Sequence, residues 1–179
     1  MRRGAGRAGE PLTAISRRLQ FELWISGSIV ALDQAAKALV RSRFDLHDSV
    51  EVIPGLFNLT RVHNYGAAFG LLNAADLPFK TALLSGVAAL ALSALMLYAA
   101  ALPVEQRLAR VGLAMIVGGA AGNLIDRLGA GYVVDFVDLY WRDWHFWAFN
   151  VADAAITIGV AFMILDLLHV RTRRVPGTV

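Results

Sequence analysis

Long apolar runs alternate with two more polar stretches along this chain. The runs fall at about 21–40, 81–102, 111–128 and 149–170, each near the roughly 20 residues that a helix needs to cross a hydrocarbon core. This pattern predicts four transmembrane helices. Residues 41–80 begin polar and then set valine, isoleucine, phenylalanine and threonine against polar neighbours around Pro54-Gly55, as short strands joined by a turn do. Residues 129–148 alternate partly in the same way, then end in an aromatic cluster that includes Trp141, Trp144 and Trp147. Such clusters anchor at headgroup level. The predicted fold is a mainly α membrane protein: four transmembrane helices, a small β cradle outside the membrane, and an interfacial helix or loop.

The polar residues inside the apolar runs refine this picture. Asp33 and Lys37 interrupt the first run, and Val-Arg-Ser-Arg follows it where a small-residue cleavage site would stand, so it reads as an uncleaved helix rather than a secretory signal. Their acid-first spacing of four suits an intrahelical pair that must face inward. The pair either neutralises itself to orient the helix, the favoured reading, or also lends Lys37 to a site as a nearby positive charge. The second run carries no charge and reads as lipid-facing scaffold. In the third, Gly118 and Gly122 have the spacing that lets a neighbouring helix approach closely. Asn123, Asp126 and Arg127 follow on one helical face, with Arg127 expected to neutralise Asp126. The fourth opens Phe-Asn-Val-Ala-Asp, which puts Asn150 and Asp153 on one face and Thr157 a turn deeper.

Composition fixes the class. Apolar residues are 57% of the 179 and charged ones 17%, and mean hydropathy is +0.55, too oily for a soluble domain of this size. We expect a single membrane domain at 19–170 between basic cytoplasmic tails at 1–18 and 171–179. The net charge of +3 comes mostly from arginines near the chain ends, with no basic face for nucleic acid. Ten arginines in the tails and the 103–110 loop stand against six basic residues on or near the other side, which predicts both termini in the cytoplasm and both strand-like segments outside. Cysteine is absent, so disulfides, thiolate metal sites and cysteine nucleophiles are excluded.

Asp135 and Asp153 are the candidate catalytic pair. Each lies at the outer end of an apolar segment, where an unpaired carboxylate is costly and marks a functional site. Two acids held together cannot both ionise cheaply, so one remains a general acid while the other takes a proton from water. A metalloprotease using these acids and a histidine is the rival enzyme class, but His47, His63, His145 and His169 lack any metal-ligand spacing. A small channel, transporter or membrane chaperone, with Asp33, Lys37, Asp126 and Asp153 holding helices or conducting protons, is the non-enzymatic alternative.

Five stretches in unbroken order carry a family resemblance. They are Leu-Asp-Gln-Ala-Ala-Lys (32–37), Thr-Arg-Val-His-Asn-Tyr-Gly-Ala-Ala-Phe-Gly (60–70), Gly-Asn-Leu-Ile-Asp-Arg-Leu (122–128), Gly-Tyr-Val-Val-Asp-Phe-Val-Asp (131–138) and Phe-Asn-Val-Ala-Asp-Ala-Ala-Ile (149–156). Together they resemble the lipoprotein signal peptidase (signal peptidase II) family. The resemblance implies a bacterial inner-membrane aspartyl endopeptidase that removes signal peptides from prolipoproteins just before a diacylglyceryl-modified cysteine. It implies catalysis by Asp135 and Asp153, with supporting or substrate-binding roles for Asp33, Lys37, Asn64, Gly66, Ala67, Asn123, Asp126, Arg127, Asn150 and Ala152. No cofactor or metal is expected. The expected partners are the prolipoprotein, membrane lipid and globomycin-type inhibitors, and the expected state is a monomer. The sequence departs from the family pattern at Tyr65, where threonine is common, and at Ala120-Ala121, where Ala-Leu is common; both bear on substrate preference rather than on a carboxylate.

Overall fold

A computed structural model describes residues 12–66 and 79–173. Among these, four helices are long and apolar enough to span a bilayer. They are α1 (Leu12–Arg43), α2 (Lys80–Ala101), α3 (Arg107–Ala130) and α4 (Val151–Arg173). Helices run past their expected ends, α4 to Arg173 and α1 to Arg43, and two of the extensions are long. Residues 12–18, expected in the basic tail, are the first turns of α1, because no Gly or Pro interrupts the chain between Leu12 and Gly27. The helix α3 begins at Arg107, inside the expected 103–110 loop. It does so because Arg110 is neutralised by Glu22 of α1, at 2.6 and 2.9 Å, and also donates to the Leu102 carbonyl at 2.8 Å.

The bundle is built around α3, which is the most buried of the four spans. Its glycines explain how close its neighbours come. A Cβ on Gly118 would lie 2.8 Å from the Ser26 carbonyl of α1, and one on Gly112 would lie 2.5 Å from the Gly159 carbonyl of α4. Gly119 meets the Ala152 carbonyl of α4 more tightly still. Small residues thus line both contacts, as membrane helix packing favours. Ser85 is the one buried residue of α2, and Leu83, Leu90 and Leu97 stand exposed for lipid, as its uncharged sequence predicts.

The outer segments form an antiparallel sheet in the order β1-β2-β3-β4: β1 (Ser49–Ile53), β2 (Phe57–Asn64), β3 (Val133–Trp141) and β4 (Trp144–His145). Pro54-Gly55 makes the expected turn, with Gly55 at φ 75° and the Leu56 N–H donating to the Ile53 carbonyl at 3.1 Å. On β3 alternation turns Val134 and Phe136 onto Val40 of α1 and sends Asp135 to the other face. The sheet closes the end of the bundle where α1 finishes and α4 begins. Trp141, Trp144 and Trp147 project from its tip, each more than 60% exposed. Between the ends of the spanning helices, the described parts of both outer segments contain strands and turns.

Candidate active site

Asp153 is placed by the way α4 starts. Asn150 is the N-cap: its Oδ1 accepts from the Asp153 N–H at 3.0 Å, while Asp153 Oδ2 accepts from the Asn150 N–H at 3.2 Å. This reciprocal capping box satisfies two otherwise orphaned donors. It also holds a carboxylate at the positive end of the helix dipole. A second helix N–H, that of Ala152, is taken at 3.0 Å by Asp33 of α1.

The other half of the Asn150 side chain reaches Asp135. Its Nδ2 donates to Asp135 Oδ1 at 2.7 Å, and Asn64 Nδ2, at the end of β2, donates to Asp135 Oδ2 at 3.0 Å. Asn123 Nδ2 donates to Asp153 Oδ1 at 2.8 Å. Asn150 therefore bridges the two acids, its side-chain amide on Asp135 and its backbone N–H on the Asp153 carboxylate, and an amide from Asn64 or Asn123 steadies each. Asp135 is 2% exposed, whereas Asp153 is only partly buried, so the pair opens outward on the Asp153 side. Burial raises the Asp135 carboxyl to about 7, and the nearby Asp153 adds to the rise. Hydrogen bonds from Asn64 and Asn150, and the Lys37 charge, oppose it.

Beneath the acids lies a buried ionic cluster. Lys37 Nζ meets Asp33 at 2.7 Å, Asp126 at 3.0 Å and Asn123 Oδ1 at 2.9 Å, so all three ammonium donors are used. Lys37 touches neither catalytic candidate; it acts on Asp153 through Asn123. Asp126 is neutralised by Lys37 and, at 3.4 Å, by Arg41, not by Arg127 as expected. Adjacent residues on a helix diverge by about 100°, and Arg127 instead reaches the Gly66 carbonyl at 3.1 Å and the Asn123 carbonyl at 3.4 Å. Asp126 Oδ2 also accepts from the Val134 N–H at 3.2 Å, tying α3 to β3 one residue before Asp135.

The remaining expected site residues fall as follows. Gly66 is buried, with its N–H on Asn64 Oδ1 at 2.9 Å and its carbonyl on Arg127. Ala152 is fully buried and contributes its N–H. Ala67 lies outside the described residues. Thr157 turns its hydroxyl back to the Asp153 carbonyl at 2.8 Å and plays no part in the pair. Two participants were missed: Gln34, whose Nε2 reaches Asp33, the Gly122 carbonyl and Asp126 at 3.1–3.4 Å, and Arg41. The signal for Arg41 was present, since Asp33, Lys37 and Arg41 form an i, i+4, i+8 stripe. Among the described residues no cluster of three His, Asp or Glu is placed to hold a metal ion; His63 stacks on Tyr132 at 3.7 Å.

Comparison with known proteins decides the family. The family model described as signal peptidase (SPase) II matches residues 25–169. The chain belongs to the signal peptidase II family. A lipoprotein signal peptidase of Geobacter sulfurreducens is 43% identical over 156 residues, which cover 87% of this chain and 96% of that protein. One from Pasteurella multocida is 45% identical over 145 residues, covering 80% and 86%. A solved bacterial membrane enzyme, 31% identical, superposes with a TM-score of 0.75 over 89% of this chain and 94% of its own. Membership makes the protein a membrane-spanning protease of the signal peptidase type, and the paired aspartates lie within the matched region of this peptidase.

Proposed function

We propose that this peptidase removes the signal peptide from diacylglyceryl-modified bacterial prolipoproteins, cutting just before the lipidated cysteine with a water activated between Asp135 and Asp153. The observation that carries the reading is the single Asn150 side chain that donates to Asp135 and caps the helix turn bearing Asp153. Asp135, deep and raised to about 7, is the protonated member. Asp153, with donors from Asn123 and the start of α4, is the carboxylate.

The reaction then needs no covalent intermediate. Asp135 gives its proton to the scissile carbonyl oxygen as Asp153 takes one from the attacking water, and the water oxygen bonds to the carbonyl carbon. Asp153 passes that proton to the leaving nitrogen as the C–N bond breaks, while the diol returns a proton to Asp135. Both acids regain their starting states. Holding water and carbonyl between two fixed carboxyls supplies the orientation term. Asn64, Gly66 and Arg127 fix the rim of the site at the end of β2, where an extended substrate backbone approaches.

The depth of the pair suits the substrate. A signal peptide is an apolar helix in the bilayer with lipid attached at the cleavage point, so its scissile bond lies at the interface rather than in a soluble cleft. The paired acids lie at that level, where the sheet meets the outer ends of α1 and α4. We place both termini in the cytoplasm and the acids near the outer face of the inner membrane, on the arginine distribution. Globomycin-type cyclic peptides are expected to occupy the same site. The test is cleavage by the purified peptidase of matched precursors with and without the diacylglyceryl group, in a strong chelator. Cleavage confined to the lipid-modified precursor and unaffected by chelator is expected. Equal cleavage of both, or loss of activity in chelator, would overturn the reading.

A further inference from the structure

A cleft of about 410 Å3 lies between the last turns of α1 and the sheet, within the range of ligand pockets. Its walls are apolar: Ala36, Leu39, Val40 and Phe44 of and just beyond α1, Leu59 of β2 and Phe136 of β3. Alternation on β3 sets it apart from the catalytic face, because Phe136 and Asp135 point oppositely. Its one charged lining residue is Arg43, at the last position of the first span. From Ala36 to Arg43 the helix rises about 10 Å, so the cleft runs along the last two turns of the first span, with Arg43 at its end. Leu32, one heptad below Leu39 on the same face, is also exposed and continues the apolar track toward the bilayer centre.

The charges at this end of α1 leave one cation uncommitted. Arg41 is paired with Asp126. Arg61 Nη1 donates to the Phe44 carbonyl at 2.8 Å and the Arg41 carbonyl at 3.4 Å, closing the C-terminus of the helix. The nearby Asp48 carboxylate accepts from the Asp45 N–H at 2.7 Å. Among the described residues Arg43 has no ion-pair or hydrogen-bond partner. An apolar cleft with a free guanidinium at its end has the polarity of a phospholipid, and the guanidinium matches a phosphate.

We propose that this cleft binds an anionic phospholipid of the leaflet beneath the sheet, with one acyl chain against Leu39, Phe44 and Leu59 and its phosphate on Arg43. The experiment is native mass spectrometry of the full-length protein released from mixed phosphatidylglycerol and phosphatidylcholine bilayers. The wild type is expected to retain phosphatidylglycerol over phosphatidylcholine by about fivefold, the contribution of one surface arginine. Arg43→Gln loses the preference, and Arg43→Lys restores most of it. Ala36→Phe, which fills the cleft and keeps Arg43, loses both lipids. Equal retention of the two lipids by the wild type, an undiminished preference in Arg43→Gln, or wild-type lipid content in folded Ala36→Phe would overturn the proposal. Competition by glycerol phosphate as strong as that by phosphatidylglycerol would overturn the acyl half of it.

Discussion

Asn150 holds the Asp135 carboxyl with its side-chain amide and the Asp153 carboxylate with its backbone N–H, and the two acids sit in unlike surroundings. Asp135 is enclosed and raised to about 7; Asp153 lies on a helix N-terminus. A carboxyl raised in the folded state binds more protons folded than unfolded between its ordinary value near 4 and about 7, so its contribution to stability is lost as pH rises through that window. Asparagine at the same position has no charge to bury. Asp135→Asn is therefore expected to melt close to the wild type at about pH 5 and above it at about pH 8, by thermal unfolding in detergent. A wild type that gains stability relative to Asp135→Asn as pH rises would reverse the assignment. The two aspartates and their amides were legible as residue types at the ends of apolar runs. The sharing of Asn150 was not, because its two bonds join β3 to α4, and sequence spacing does not report that distance.

The helices were legible almost to their ends, since an apolar run of span length in lipid has only one way to satisfy its backbone. What escaped notice lies at their termini. Arg110 reads as part of a polar loop because its neutralising partner, Glu22, is distant in sequence. Likewise the sequence offers the adjacent Arg127 as the partner of Asp126, where the fold pairs it with Lys37 and Arg41. Gly118 and Gly122 announced the α1 contact by their spacing, while Gly112, Gly119 and Gly159, which bring α3 against α4, carried no such signal. The ionic cluster makes a prediction for these elements. Lys37→Met leaves Asp33 and Asp126 facing each other without their central cation, and removing one partner of a buried pair costs about 3–5 kcal/mol. Loss of that stability by chemical denaturation is expected, together with reduced activity. A neutral substitution would show that the cluster is wetted and does not organise the bundle.

For the whole molecule the arrangement is a helical bundle closed at one end by a sheet, with the paired aspartates at the seam. The four spans place the sheet and the α2–α3 loop on opposite sides of the membrane. The sequence contains no cysteine, so single cysteines report topology directly. Glu51→Cys on β1 is expected to react with a membrane-impermeant maleimide in intact spheroplasts, and Glu105→Cys only after permeabilisation. The reverse pattern would place the active site on the cytoplasmic side. The central claim, that Asp135 and Asp153 together perform hydrolysis, is tested most directly by processing of a lipid-modified precursor by Asp135→Asn and Asp153→Asn. Each variant is expected to fold and to lose cleavage by about 100-fold or more, as general acid–base groups do; near-wild-type cleavage by either folded variant would contradict the account.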